Sequence, residues 1–595
     1  MKTTAGAFFS VASLALVVGC SAGQTRVADV FSTDWQDDGG RSVAALEARL
    51  HGRPVPVGAN VAVGVVRDGV IGVSLDDGTK WTFSHAVDAR PCIAGNLVIG
   101  TGGGEVFALD AKSGQKVWTR PATGKIRGAG DDGTTTLVSL EPSGQRGGGL
   151  LAIARDGTVV RQLEADVPLG DPTVLWNLAF IPWSNQYVTV YDLGTAEEVA
   201  RVTLREQISH AFVSGGSLYF GEIGATRFDD KIGGASRNQA SHVGLPAREL
   251  PGRPRWMRPG GFVLDPNSDA FDRIATYARP AFDTGRLGLD SDTYYATYYR
   301  IVVGLSGSTG EVTWARAIPD DAIAGSAFAG GVVLCSSSGK LTMLDARSGA
   351  DVGAADLAQP VSSCVVQADA FVPHGQSRGA ESLVDQLTAV VLLKDTKLAT
   401  MQRFLLRELV GQQSDVATRT LIELASNPET SPALLEDARA GLAARRNGAE
   451  FMLAALEKHY DFLHDVLVSP PVGPLADALA AIQEPRAAPL LAAHLNDPAD
   501  SPDDIKRAAR ALAVLATAAE LPDLRTFFGL YRAAADKPDL VSAVVDVARA
   551  LIRVGGDDGR RLVVDAATDP LTVPAVREPL QDLTRGASGP AASAR

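Results

Sequence analysis

A stretch of this chain occurs twice with almost the same spelling, and that repetition constrains the fold more than any other feature. Cys92 to Gly114 can be laid over Ala327 to Gly349 with no gap: Ala94-Gly95 meets Ala329-Gly330, Val98 meets Val333, and Gly104 meets Gly339. The agreement ends with Leu109-Asp110-Ala111-Lys112-Ser113-Gly114 on Leu344-Asp345-Ala346-Arg347-Ser348-Gly349. A partial third copy runs through Val302, Leu305, Gly310, Trp314 and Arg316, matching Val106, Leu109, Gly114, Trp118 and Arg120. Weaker copies centre on Leu75 to Trp81, Leu151 to Val159, Val188 to Val199 and Leu218 to Phe228. A unit of this length that recurs cannot bury its apolar face alone and must stack on its neighbours. Within it, short alternating runs such as Leu97 to Gly100, Glu105 to Asp110 and Gln115 to Thr119 are separated by glycine-containing turns, which predicts three strands per unit. The tryptophan at the end of the third strand is placed to cover the turn glycines of the next sheet.

The run Val-Phe-Ala-Leu-Asp-Ala-Lys-Ser-Gly-Gln-Lys-Val-Trp at Val106 to Trp118 resembles the pyrroloquinoline-quinone-like propeller repeat. The resemblance implies an all-β propeller over residues 60–374, with seven or eight blades and a closing blade shared between Cys364 to Val372 and the strands near Val61 to Val66. Ring closure leaves only short, protected sheet edges. The period lapses over about 230–292, which is expected to be a loop on one propeller face: a binding surface or a decoration. Beyond it, Tyr294, Tyr295, Tyr298 and Tyr299 crowd one strand. Their outward members are candidate interface anchors, while alternate members would pack between blades.

After His374 glycine thins and apolar residues recur at helical spacing. Leu475, Leu479 and Ile482, then Pro489 to Leu491 and Leu495, then Ala508, Ala511, Leu512 and Leu515 describe consecutive amphipathic helices, with turns at Glu484-Pro485-Arg486 and Asn496-Asp497-Pro498. The pattern resembles HEAT-type repeats, which implies an all-α solenoid over 382–584 after a linker at 375–381. A compact irregular helical domain is the alternative. Residues 585–595 read as a disordered tail.

The N-terminus indicates the compartment. Lys2 precedes an apolar run from Ala5 to Val18, the length of a signal-peptide core and too short to span a bilayer. Leu16-Val17-Val18-Gly19-Cys20 resembles the bacterial lipobox. That implies a signal peptide at 1–19, lipidation of Cys20, a tether over 20–59, and, since Ser21 follows, the outer membrane with the soluble domains facing the periplasm. Three cysteines remain, Cys92, Cys335 and Cys364. With a propeller repeat separating them, Cys335 and Cys364 are the expected disulfide pair; three small buried residues on strands are the other reading.

The chemical motifs fail on context. Gly128-Ala129-Gly130-Asp131-Asp132-Gly133 has dinucleotide-loop spacing, but Thr134 to Leu140 reads as a strand where that motif needs a helix. Ser338-Gly339-Lys340 reads as a hairpin turn. Asp265 to Asp269 alternates oxygen ligands, yet Ala270 and Thr276 stand where a calcium loop needs Gly and Glu. The eight histidines show no ligand spacing; His459 and His464 are expected on a helix, too far apart on its surface to clamp one metal. No adjacent cysteines are present to match the vicinal pair of quinoprotein dehydrogenases. A net charge of −13 argues against nucleic acid. The closer resemblance is to non-enzymatic propeller lipoproteins such as that of the outer-membrane β-barrel assembly machine. The expectation is therefore a scaffold binding envelope proteins, with no catalytic residues, cofactor or metal. A glycan- or ligand-binding propeller and a divergent quinoprotein enzyme are the alternatives.

Overall fold

The computed structural model describes residues 24–25, 58–141, 147–184, 187–203, 210–214, 217–221, 225–228, 241–243, 274–280, 289–306, 311–368, 370–373, 381–457, 459–461 and 466–586. Among these, seven antiparallel sheets of the kind that form propeller blades are followed by eleven α-helices.

Each sheet has four antiparallel strands rather than the expected three. In the second sheet they are Cys92–Ala94, Leu97–Gly102, Glu105–Asp110 and Lys116–Pro121. The first strand escapes sequence reading because it is only three residues long and carries no alternation. These first strands lie innermost: Cys92–Ala94 contacts Lys125–Asp131 of the third sheet, which contacts Thr173–Leu175 of the fourth. The first sheet takes its innermost strand from far along the chain, Ser363–Gln367 pairing antiparallel with Val61–Val66. In the third sheet the outermost strand, Val159–Ala165, carries a fifth strand, Gln24–Thr25, paired in parallel. At these two residues the expected tether is a sheet element. The expected loop at 230–292 also contains strand: Ser241–Val243 completes the fifth sheet, and Ile274–Pro280 with Leu289–Tyr298 opens the sixth. In the sixth sheet the part that matches the repeat begins only at Val302, and Ser306 stands where the second sheet has Asp110.

The repeated hexapeptide has a physical explanation. Asp110 Oδ1 accepts the backbone N–H of Ser113 at 2.9 Å, and Asp345 Oδ1 accepts that of Ser348 at 2.9 Å, closing the same turn in the second and seventh sheets. The turn ends on Gly114 (φ 69°) and Gly349 (φ 66°), in the left-handed region glycine enters without steric cost. A Cβ on either would stand 2.5 Å from an indole, Trp81 over Gly114 and Trp314 over Gly349. Each indole belongs to the fourth strand of the preceding sheet and donates its N–H to the alanine carbonyl of the motif: Trp81 to Ala111 at 2.9 Å and Trp314 to Ala346 at 2.8 Å. Asp, Ala and Gly of the repeat therefore serve the turn, the acceptor and the ring contact. The third sheet has a shorter turn ending at Gly157, and there the Trp118 indole N–H has no hydrogen-bond partner.

The disulfide joins Cys335, on the second strand of the seventh sheet, to Cys364, on the strand that completes the first sheet. It staples the chain-end strand to its neighbour across a separation of 29 residues. Loop-closure entropy for a loop of that size is worth roughly 3–4 kcal/mol. Both sulfurs are buried, so the appropriate variant is the double change Cys335→Ala and Cys364→Ala. It is expected to lower the melting temperature of the full chain by several degrees; an unchanged melt would mean that strand pairing alone holds the closure.

The helices are α1 (Leu383–Val391), α2 (Ala399–Gly411), α3 (Asp415–Ser426), α4 (Pro432–Ala443), α5 (Ala449–Leu456), α6 (Val472–Ala481), α7 (Ala487–Leu495), α8 (Pro502–Leu515), α9 (Leu521–Tyr531), α10 (Pro538–Thr568) and α11 (Pro574–Gly586). Between α5 and α6 a short hairpin, His459–Asp461 with Val466–Val468, replaces the helix expected around His459; His464 lies outside the described residues. One turn design recurs before α4, α8 and α11. Asn427, Asp497 and Asp569 each accept the N–H two residues on with a side-chain oxygen, at 2.9 Å in all three. A proline then opens the helix five residues after the capping residue, where its missing N–H is no loss. The α10 helix bends at Gly556 (φ 57°).

Helix α1 packs against Val312–Ala317, the outermost strand of the sixth sheet. Leu387, Val390 and Phe404 share one apolar core with Tyr298, Ile301, Val303 and Leu305. Buried Gln386 accepts the N–H of Ala315 at 3.3 Å and donates to the Ser348 carbonyl at 2.8 Å, so an otherwise open strand edge is satisfied by a helix. Arg300 with Asp395 at 3.2 Å and Lys397 with Asp321 at 2.9 Å flank this seam.

Candidate interaction surface

The tyrosine strand faces inward more than the sequence reading allowed. Tyr295 lies in the core between the sixth and seventh sheets, and Tyr298 lies in the core shared with the helices; both are buried and unavailable to a partner. Tyr299 (φ 53°) turns at the strand end, meets Tyr298 edge-on at 5.0 Å and lies under Lys397 Nζ at 5.2 Å. It serves the seam with α1 and α2. The side chain of Tyr294 and the whole of Cys20 lie outside the described residues.

Sequence reasoning missed Trp176. The turn Leu175-Trp176-Asn177-Leu178 sits where the second sheet has Ala94-Gly95-Asn96-Leu97. Glycine suits the positive φ at Gly95 (φ 55°), whereas Trp176 holds φ 55° and Asn177 φ 65° with full side chains. Such a backbone costs of order 1–3 kcal/mol unless the surroundings enforce it. Asp132 enforces it, accepting the N–H of Trp176 at 2.9 Å with Oδ2 while its Oδ1 closes its own turn onto Thr134 and Thr135, each at 2.9 Å. A half-buried indole is thus held on a turn between sheets. The signal was present in the sequence as a tryptophan before the Asn-Leu pair, at the repeat position where glycine is expected.

Among the described residues, four of the seven exposed large aliphatic side chains lie in the last part of the helical region: Val514, Leu530 and Val564 on helices and Leu571 on the turn before α11. Leu571 is 71% and Leu530 59% exposed. Arg532 fixes their relative placement, pairing with Asp569 at 2.6 Å and donating to Thr572 at 3.0 Å, so the end of α9 is tied to the turn before α11.

Two clusters of chemically competent side chains are already committed to structural roles. His494 comes within ligand distance of Asp497 and Asp500, but its ring already bridges Asp500 Oδ2 at 2.8 Å and the Leu456 carbonyl at 2.7 Å, and Asp497 accepts the N–H of Ala499. The group reads as a clasp between α5, α7 and the turn before α8. The cysteines do not fit a quinone site: two are bonded to each other from different sheets, and Cys92 stands alone. Burial, assisted by the Asp171 carboxylate, pushes the Cys92 thiol up to about 12. Its alkylation in the native full chain at pH 8 is expected to be roughly a thousandfold slower than that of an ordinary thiol. The folded state holds this proton where the unfolded chain releases it, so Cys92 subtracts stability as pH rises above the ordinary thiol range. Alkylation at the free-thiol rate would contradict both statements.

Comparison with known proteins bears on the sheets. Residues 67–200 match a family model described as outer membrane protein assembly factor BamB. The match spans the last two strands of the first sheet, the whole of the second, the four strands of the third between Lys125 and Ala165, and most of the fourth, under a quarter of the chain. No curated protein matches. Among solved structures, BamB from Moraxella catarrhalis is 14% identical, covering 49% of this chain and 87% of that one with a TM-score of 0.29. Sqt1 from Saccharomyces cerevisiae is 10% identical, covering 52% and 88% with a TM-score of 0.33. The dihydro-heme d1 dehydrogenase NirN is 14% identical, covering 53% and 78% with a TM-score of 0.33. At these scores the structural likenesses carry no weight; the family match supports a BamB-like sheet region over residues 67–200.

Proposed function

We propose that this protein is a non-enzymatic, lipid-anchored scaffold of the bacterial envelope, held at the outer membrane through Cys20 with its domains in the periplasm, and that its partners are envelope proteins. In this reading the seven sheets are the blades of one ring closed by Ser363–Gln367, and 382–584 is a HEAT-like array. The recurring capped turns before α4, α8 and α11 support the array. The carrying observation is the seam: the sixth sheet and the first helices share one apolar core. Two interaction modules joined in this way hold their surfaces in one spatial relation, which raises the effective concentration of one partner for the other.

The seam also decides how the proposal is tested. Deleting 382–595 would uncover Tyr298, Ile301, Val303 and Leu305, so that truncation is expected to be insoluble and unusable. Surface variants of the full chain avoid this. Leu530→Asp with Leu571→Asp, and separately Trp176→Gly, are expected to keep the melting temperature within a few degrees. They should remove defined envelope proteins from a crosslinked co-purification out of native membranes. Retention of the same partners by both variants would overturn the assignment of these surfaces.

A further inference from the structure

The fifth strand on the third sheet constrains how the molecule stands on a membrane. Gln24 pairs with Gln162 and Thr25 with Leu163, so the chain is fixed to the outermost strand of that sheet almost at once after Cys20. Gln24 is the fourth residue after Cys20, and a chain of that span reaches at most about 14 Å. The helices leave from a different rim, since α1 covers the outermost strand of the sixth sheet. In a ring of seven consecutive sheets the third and sixth lie three steps apart one way and four the other, on nearly opposite rims.

We propose that Gln24–Thr25 is a membrane-side clasp: by adding to Val159–Ala165 it sets the outer rim of the third sheet against the phospholipid surface, so that the helices point away from the bilayer and both faces of the ring stay open to partners. The inference rests on the lipidation of Cys20 and the closed ring proposed above. A bare lipid tether would let the domains tumble; a strand pairing within four residues of the acyl chains removes that freedom. Val160, on the clasped strand, is an exposed apolar side chain at this rim, suited to an interfacial position.

The test uses the full chain made in a bacterium that processes lipoproteins, in a Cys92→Ala background, and reconstituted in phosphatidylethanolamine and phosphatidylglycerol vesicles whose acyl chains carry bromine. A fluorophore is placed singly on Val160→Cys or on Leu571→Cys, and the mass of the N-terminal peptide is read in the same preparation. The expected result is an acylated Cys20, quenching several-fold stronger at position 160 than at 571, and loss of that contrast in the double variant Gln24→Pro, Thr25→Pro, whose prolines cannot donate to the pairing. An unacylated N-terminal peptide would overturn the anchor on which the inference rests. An acylated chain quenched equally at both positions would overturn the orientation while leaving the anchor standing. A contrast that survives the proline variant would overturn the role of the strand.

Discussion

Trp314→Ala is expected to destabilise the full chain by about 3–5 kcal/mol, the usual range for removing a buried aromatic. The indole is 1% exposed, covers Gly304 on its own sheet and Gly349 on the next, and donates to the Ala346 carbonyl. Both glycines lack a side chain where the ring lies, so no neighbour can relax into the space left behind. The loss should exceed that for Trp118→Ala, because Trp118 has a shorter turn beneath it and an indole N–H without a partner, so its removal breaks no hydrogen bond. Trp314→Phe should fall between, keeping most of the packing while leaving the Ala346 carbonyl unsatisfied. Denaturant unfolding followed by tryptophan fluorescence and by far-ultraviolet circular dichroism gives the ranking. Equal losses for the two alanine variants would mean that the hydrogen bond to the turn contributes nothing.

Arg445→Ala is expected to cost a similar amount, about 3–5 kcal/mol, because it removes several charge-assisted hydrogen bonds at once. Arg445 is the one fully buried cation among the described residues, 1% exposed just past the end of α4. Its guanidinium donates to the carbonyls of Val410 (3.1 Å), Gln412 (2.7 Å) and Ser414 (3.0 Å), to Thr418 Oγ1 (3.0 Å) and to Asn447 Oδ1 (2.5 Å). Two of these acceptors, the Val410 and Gln412 carbonyls, lie at the end of α2, where the helix dipole is negative and helical partners run out, and the third belongs to Ser414, the N-cap of α3. No carboxylate is bonded to it, and burial moves its pKa below the ordinary arginine value. Removing the side chain takes five hydrogen bonds from this turn at once; the Gln412 and Ser414 carbonyls keep the N–H groups of Ser414 (3.1 Å) and Thr418 (3.2 Å), and the Val410 carbonyl loses the guanidinium. Arg445→Lys keeps the charge but offers three donors without the planar fork, and should recover only part of the loss. Far-ultraviolet circular dichroism through thermal unfolding reports it, since the damage falls on helices; a variant that melts like the parent would show that water replaces the guanidinium.

The architecture was legible where a physical requirement ties residue types to fixed positions. Asp110, Ala111, Gly114 and the tryptophan serve the capped turn, the indole acceptor, the left-handed position and the clamp, so copies of the unit could be found by eye. The closing strand was legible for the same reason, from the leftover unit at each end of the period. The innermost strand Cys92–Ala94 was not, because three residues carry no periodicity, and the strands at 274–280 and 289–298 were not, because the part of their unit that matches the repeat begins only at Val302. The tyrosines show the limit of alternation. Tyr295 and Tyr298 point to opposite faces of one strand, and both faces are covered: one by the seventh sheet and the other by helices some ninety residues later in the sequence. The Trp176 surface was missed because it is defined by a departure from the repeat, Leu530 because an exposed leucine on an amphipathic helix is indistinguishable from a core one until the neighbouring helix is placed, and Leu571 because it sits on a turn outside any periodic run.

The central claim is that the last helices and the Trp176 turn are recognition surfaces of one scaffold. A photo-crosslinking residue placed at Leu571 or at Trp176, with one at exposed Asp558 as the control, tests it in cells without altering the fold. The account predicts discrete, reproducible adducts with envelope proteins at Leu571 and Trp176 and none at Asp558. Adducts at none of the three sites, or the same faint ladder at all of them, would contradict it.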